Sequence, residues 1–174
     1  MTLGKVLVSE RDIAQAVERV VEEITQDYGD GDLLLVGVMD GAVCFLADLM
    51  RAFPRSVEMT TIRATSYEGT ESLGELTVNN LPTPEQIRGR HVLIVEDIVD
   101  TGATVSVLAQ KIEALGATSV NVCALLNKPS RREHDVETAY ICFDVPDVFV
   151  VGYGLDYNGE FRNLREVREL SNVE

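Results

Sequence analysis

Three carboxylates stand close together in the stretch HVLIVEDIVDTGAT, His91 to Thr104: Glu96, Asp97 and Asp100. They lead into Thr101-Gly102-Ala103-Thr104, where an apolar run passes through a glycine-containing turn towards a helix. Such a turn aims backbone N–H groups, the Thr101 and Thr104 hydroxyls and the positive end of a helix dipole at one point, which is enough for one phosphate. No Gly-Lys-Ser/Thr follows, so the loop differs from the one that holds nucleoside triphosphates. The same spacing also occurs in ordinary strand-to-helix turns, and spacing alone leaves both readings open.

The acids make chemical sense if the phosphate carries a sugar. Adjacent Glu96 and Asp97 can accept hydrogen bonds from vicinal hydroxyls, which a phosphate does not offer. Carboxylates also suit a Mg²⁺ that neutralises a polyphosphate. Asp100, at the lip of the turn, is placed to act as an acid or base on whatever is joined to the sugar.

The elements that must hold these residues can be read from the pattern. Ser9 with Asp12 predicts a helix start, and Ile13, Val17, Val20, Val21 and Ile24 recur at helical spacing. LLLVGV, Leu33 to Val38, is continuously apolar, as a strand covered on both faces would be. GAVCFLADLMRA predicts a helix that stops before Pro54, and VEMTTIRAT, Val57 to Thr65, a β-branched strand. SYEGTESLGEL loses periodicity and reads as a mobile loop leading to a short strand. VLIVE is a second buried strand, Thr101 to Leu115 its helix closed by Gly116, TSVNVCALL a third strand, and AYICFDVPDVFVVGYGLDYN supplies the last short ones. This alternation predicts an α/β fold, an open and mostly parallel sheet flanked by helices, in a single domain over residues 1–174. Ligands in such sheets bind at the carboxyl ends of strands, where Met39 to Ala42, Glu96 to Thr104, and Asn127 with Lys128 should converge.

Bulk composition limits the partners. Fifteen basic residues against 29 acidic ones give a net charge of −14, which disfavours general attraction to nucleic acid or to an anionic membrane. Lysine occurs only at Lys5, Lys111 and Lys128. Cys44, Cys123 and Cys142 are widely spaced and follow no metal-ligand pattern, so free buried thiols are expected. The opening MTLGKVLVSE has no basic region followed by a long apolar run, and a cytoplasmic location is expected.

VLIVEDIVDTGAT resembles the signature of the phosphoribosyltransferases that use 5-phosphoribosyl-1-diphosphate: two acids, two apolar residues, then an acid and Thr-Gly. VGVMDGAVCFLADL, Ser66-Tyr67, LLNKPSRR and PDVFVVGYGLDYNGEFRNL are similar to the hypoxanthine-guanine branch of that family, over about Leu33 to Leu164. The resemblance implies the type I phosphoribosyltransferase fold with a mobile active-site loop and a small hood over the base.

It further implies that Asp100, Thr101, Gly102, Ala103 and Thr104 bind the 5′-phosphate, with Asp100 also the catalytic residue, and that Glu96 and Asp97 bind the ribose. Phe149 would lie against the purine, Val150 would present backbone groups to its edge, and Lys128 would donate to its 6-oxo group. Asp156 would help hold Mg²⁺ at the edge of the purine site, with Glu96 and Asp97 as further carboxylates for the metal. Asp40, Gly41 and Arg162 would meet the diphosphate, while Ser66 and Tyr67 open the loop that closes over the reaction. Taken singly, Phe149 reads first as a core residue, while Lys128 also reads as a solvated loop lysine, Asp156 as a turn former and Arg162 as half of a surface ion pair.

One position departs from the family pattern. A basic residue commonly precedes the glycine of the first diphosphate loop, whereas this chain has Asp40 before Gly41. The resemblance implies transfer of 5-phosphoribosyl to N9 of hypoxanthine or guanine, with Mg²⁺ as cofactor and a homodimer or homotetramer as the assembly. A xanthine-preferring enzyme and a regulatory protein that senses the same donor are the alternatives.

Overall fold

The computed structural model describes residues 1–66 and 76–172. In chain order the elements are β1 (Thr2–Val8), α1 (Glu10–Tyr28), β2 (Leu33–Met39), α2 (Val43–Ala52), β3 (Glu58–Ser66), β4 (Leu76–Asn79), α3 (Pro84–Ile87), β5 (His91–Val99), α4 (Ala103–Ala114), β6 (Ser119–Asn127), β7 (Tyr140–Asp144), β8 (Val150–Val151) and β9 (Val167–Ser171). A 3₁₀ turn, Pro129–Arg131, follows β6.

Six strands form the main sheet in the order β4-β3-β2-β5-β6-β7. All neighbours run parallel except β3 and β4, which pair antiparallel. The continuous apolar runs are explained by burial on both faces. Leu33 and Leu35 of β2, with Leu93 and Val95 of β5, pack among Ile13, Val17, Val20, Phe45 and Leu49 of α1 and α2. Leu34 and Val36, with Val92 and Ile94, pack among Ile87, Val105, Leu108 and Ile112 on the other side. Successive strand residues thus point to opposite faces and both faces are dry. Each large side chain buried in this way contributes about 1.5–3 kcal/mol.

The helix boundaries follow local chemistry. Ser9 caps α1, its hydroxyl accepting from the Asp12 N–H at 3.2 Å. The expected helix after the DTGAT turn begins at Ala103 rather than Thr101. Gly102 has φ +87°, a left-handed conformation that breaks the helix and leaves Thr101 in the turn. Gly116, at φ +92°, ends the same element as expected.

Two strands and one helix were not expected. β1 and β9, together with β8, form a separate antiparallel sheet in the order β1-β9-β8, which joins the two ends of the chain. Its Val8, Val150 and Val167 continue the core on the α1 and α2 side. The short α3 begins at Pro84, with Thr83 and Gln86 forming a reciprocal capping box. The three cysteines are free, with Cys123 and Cys142 buried and Cys44 partly so. Among the described residues no helix is long and apolar enough to cross a membrane.

Candidate active site

The carboxyl ends of β2, β5 and β6 meet, as a parallel sheet requires. Register places Gly37 beside Val95, Glu96 beside Ala124, and Val99 beside Asn127. Three loops emerge there: Asp40 to Ala42 after β2, Asp100 to Gly102 after β5, and Lys128 with its 3₁₀ turn after β6.

The turn after β5 encloses a small cavity of about 80 Å³, lined by Glu96, Asp100, Thr101, Gly102, Ala103 and Thr104 among others. The Thr101 hydroxyl accepts from the Ala103 N–H at 3.3 Å, which holds the turn open at the start of α4. The first N–H groups of a helix have no partner within it, so this cavity faces a set of donors. Gly102 also allows close packing: a Cβ there would lie 2.9 Å from Arg132 Nη1. Arg132 in turn donates to the Asn127 side chain, and Asn127 donates to Asp144 at 2.6 Å.

A larger cavity of about 500 Å³ lies alongside, lined by Asp97, Asp100, Lys128, Arg131, Asp147, Phe149, Val150 and Asp156 with three apolar neighbours. Lys128 is only 7% exposed, so it is not a solvated loop lysine; its ammonium lies 3.6 Å from Asp147. Phe149 is 44% exposed and is not a core residue. Its ring meets Tyr157 edge to face, with centroids 5.5 Å apart, and the residue lines the cavity. Val150 is buried at the start of β8, paired with Glu169.

Glu96 and Asp97 sit deeper. Burial, then the Asp97 charge and a hydrogen bond with Asp97, push the Glu96 carboxyl well above the ordinary range. Its Oε2 is buried without a hydrogen-bond partner. Burial raises Asp97 as well, against the opposing pull of the Ile98 N–H, Glu96 and Arg162. The Ile98 N–H donates to Asp97 Oδ1 at 2.7 Å. Asp97 also packs directly against Gly41.

Of the remaining predicted residues, Asp156 lines the larger cavity, Arg162 lines a separate one with Cys44, Asp48 and Tyr153, and Asp40 lines a further one with Arg63 and Asn79. Asp156 accepts from the Gly159 N–H at 2.7 Å and pairs with Arg162 at 2.8 Å, so the turn-forming role and the ion pair are both real and both border the site. Arg162 also donates to the Gly154 carbonyl at 2.5 Å. Gly154 closes on the β2 loop, where a Cβ would lie 2.2 Å from the Gly41 carbonyl oxygen. The Met39–Asp40 peptide is cis, and Asp40 pairs with Arg63 at 2.6 Å. Ser66 ends β3, paired with Leu76, whereas Tyr67, Gly69 and Gly74 lie outside the described residues.

Sequence reasoning did not single out Arg63, Arg131, Arg132 or Asp147. The pair Arg131-Arg132, three residues beyond Lys128 in a chain of net charge −14, was the available signal for two of them.

Comparison with known proteins agrees with this geometry. Residues 6–158 match the model of the phosphoribosyl transferase domain family. A hypoxanthine-guanine phosphoribosyltransferase of Streptococcus pneumoniae is 41% identical over 163 residues, 93% of this chain and 90% of that protein. The same-named protein of Bacillus subtilis is 41% identical over 164 residues, with the same coverage. The crystal structure of a hypoxanthine-guanine phosphoribosyltransferase from Bacillus anthracis superposes with a TM-score of 0.91 at 31% identity, covering 97% of this chain and 99% of that one. A hypoxanthine phosphoribosyltransferase variant from Trypanosoma cruzi, in a ternary substrates complex, superposes with a TM-score of 0.89 at 35% identity, over 98% of this chain and 96% of that one. With its family model, its relatives and its strand-end site in agreement, the chain belongs to the phosphoribosyl transferase family.

Proposed function

We propose that the two adjoining cavities hold the two halves of one reaction, the sugar phosphate in the smaller and the purine in the larger. The protein is a purine-salvage transferase that moves 5-phosphoribosyl from its 1-diphosphate to N9 of hypoxanthine or guanine, giving IMP or GMP and diphosphate. The observation that carries the assignment of roles is the meeting of Lys128, Phe149, Val150 and Asp100 in a single cavity beside the Thr101–Thr104 turn.

The 5′-phosphate rests on the turn from Asp100 to Thr104, bound by backbone N–H groups, the two threonine hydroxyls and the dipole of α4. Glu96 and Asp97 accept from the ribose hydroxyls. Phe149 stacks on the purine, Lys128 donates to the 6-oxo oxygen, and the Val150 backbone meets the base edge. The N9 lone pair forms the bond to C1′ as the bond from C1′ to the diphosphate oxygen breaks and its electron pair leaves with the diphosphate. Asp100 takes the proton released at N7. Arg162 and the backbone around Gly41 face the departing diphosphate.

The donor set suits Mg²⁺. This ion uses one or two carboxylates together with substrate oxygens and water rather than a full protein cage. Among the described residues no cluster of three or more ligating side chains exists. Asp97 and Asp156 nevertheless share a cavity, and Glu96 carries an orphaned buried oxygen. Asp156, Glu96 and Asp97 are the residues that would hold the ion. When bound, it offsets the charge of the diphosphate as a leaving group.

The test is a donor-dependent assay with hypoxanthine, guanine, xanthine and adenine, each with and without Mg²⁺. Turnover of hypoxanthine and guanine that requires Mg²⁺ is expected. Preferential turnover of xanthine would move the protein to another branch, and no turnover of any purine would favour a donor-sensing role.

A further inference from the structure

The large cavity contains four alternating charges that the functional reading does not use as a unit. Arg131 Nε lies 2.7 Å from Asp100 Oδ1, and its Nη1 lies 3.5 Å from Asp147 Oδ1. The same Asp147 oxygen is 3.6 Å from the Lys128 ammonium. All four side chains line the purine-sized cavity. Resting on the assignment of Asp100 to N7 and Lys128 to the 6-oxo oxygen, we propose that Arg131 is a positioning residue for the transfer. Its guanidinium holds Asp100 in place and, through Asp147, ties it to Lys128.

The chemistry of the base supports the connection. N7 and the 6-oxo oxygen are neighbours on one edge of a 6-oxopurine, so the residues that serve them must keep a fixed spacing. Asp100 stands at the lip of a turn and Lys128 at the end of the neighbouring strand; the ladder fixes their backbones, the Lys128 N–H donating to the Val99 carbonyl at 3.0 Å, and the Arg131–Asp147 bridge links their side chains. Arg131 belongs to the 3₁₀ turn that follows Lys128, with its own N–H bonded to the Lys128 carbonyl at 3.1 Å. Its planar fork is therefore anchored to the β6 loop while it grips the β5 loop. Once Asp100 is protonated, Arg131 remains paired with Asp147 and leaves no isolated cation beside the product.

As a stabilising device the bridge counts for little. Arg131 is 46% exposed at its side chain and Asp147 50%, and ion pairs as open as these contribute little to folding. Arg131 should therefore affect the rate and leave the fold intact.

The experiment is a double-mutant cycle on hypoxanthine turnover with Arg131→Met and Asp100→Asn, together with Arg131→Lys and Asp147→Asn. Arg131→Met should lower kcat about 10- to 100-fold, the scale of a small misplacement of a reacting group. Its thermal midpoint should stay near that of the parent. Arg131→Lys should recover part of the loss. In the Asp100→Asn background, Arg131→Met should change kcat by less than about twofold, because the group it positions is already disabled. Asp147→Asn should raise the KM for hypoxanthine more than it lowers kcat, since it acts through Lys128. Equal losses from Arg131→Met in both backgrounds would overturn the proposal, as would a wild-type kcat in the single variant. An Asp100→Asn variant with unimpaired kcat would instead remove the underlying assignment of Asp100, and the proposal with it. If Arg131→Met lowers the thermal midpoint substantially, Arg131→Lys carries the cycle, and additive losses there again overturn the idea.

Discussion

The Asp97 carboxylate occupies the space that a side chain on Gly41 would need: a Cβ built there lies 1.7 Å from Asp97 Oδ2. The loop after β2 and the acids after β5 are therefore in direct contact, and glycine is required by closeness rather than by backbone conformation. Gly41→Ala must push Asp97 or the loop aside. Because both border the donor site, the KM for the diphosphate donor should rise at least tenfold. Overpacking of this kind costs roughly 1–3 kcal/mol, so the thermal midpoint should fall as well. Donor saturation curves together with thermal melts check this, and an unchanged donor KM would count against a diphosphate role for Gly41.

Glu96 makes a prediction about pH. Its carboxyl is raised by burial first and by Asp97 second, so the folded protein keeps a proton that the unfolded chain releases in the ordinary glutamate range. Stability is full below that range and declines as pH rises from it through the raised value. Glu96→Gln removes the titration. It should stabilise the protein at neutral pH by about 0.5–2 kcal/mol, the usual gain from relaxing a strained functional position. For a chain of this size that is roughly 2–4 °C per kcal/mol. The gain should vanish near pH 4 or below, about where an ordinary glutamate is protonated. Melting curves at neutral and acid pH decide, and a gain independent of pH would exclude the titration as its cause.

The parts of the fold that were legible in the sequence are those whose burial leaves a periodic signal. β2 and β5 are dry on both faces and read as unbroken apolar runs, and α1 shows its stripe and its Ser9 cap. β1 escaped because its TLGKVLV is mostly exposed and its pairing with β9 is irregular, so no alternation survives. β9 escaped for a similar reason: its buried residues, Val167 and Leu170, stand three apart rather than two. In the site, Glu96, Asp97, Asp100 and the turn are consecutive and could be read together. Arg131 meets Asp100, and Arg63 meets Asp40, only because parallel strands bring distant loops to one edge. Adjacency created by register has no signature along the chain.

Asp40 shows what that hidden adjacency changes. Register pairs Met39 with Arg63 across β2 and β3, and the Arg63 guanidinium reaches Asp40 at 2.6 Å. The acidic substitution in this loop therefore stands beside a cation from the next strand. Asp40→Asn would leave Arg63 unpaired at the mouth of the diphosphate loop and remove a charge that repels the donor. The donor KM should fall by up to about fivefold, the range of an exposed ion pair. The effect should shrink in high salt, which screens exposed charges. A higher donor KM in the variant, or a fall that salt does not reduce, would contradict this account of Arg63.

The proposed role of Lys128 predicts that adenine is rejected. The lysine is 7% exposed and its ammonium has donors and no acceptor, so it satisfies a 6-oxo oxygen and meets an adenine amino group donor to donor. Asp147, 3.6 Å away, holds the charge without filling the cavity. The ring nitrogen N1 adds to the mismatch, because it bears a hydrogen in hypoxanthine and guanine and is a bare acceptor in adenine. On the proposed assignment the Val150 backbone carbonyl accepts from that hydrogen and would lose its partner. Sites built on such hydrogen bonds discriminate by roughly 10⁴-fold or more, since the wrong ligand leaves buried polar groups unsatisfied. Lys128→Met should therefore cut kcat/KM for hypoxanthine sharply while producing little adenine turnover, because the N1 mismatch persists. It should also leave Asp147 with Arg131 as its remaining cation, so the fold should survive the change. Competition kinetics with the two bases in one mixture give the ratio directly, and comparable kcat/KM for adenine and hypoxanthine in the wild-type protein would defeat the assignment of Lys128 to the 6-oxo group.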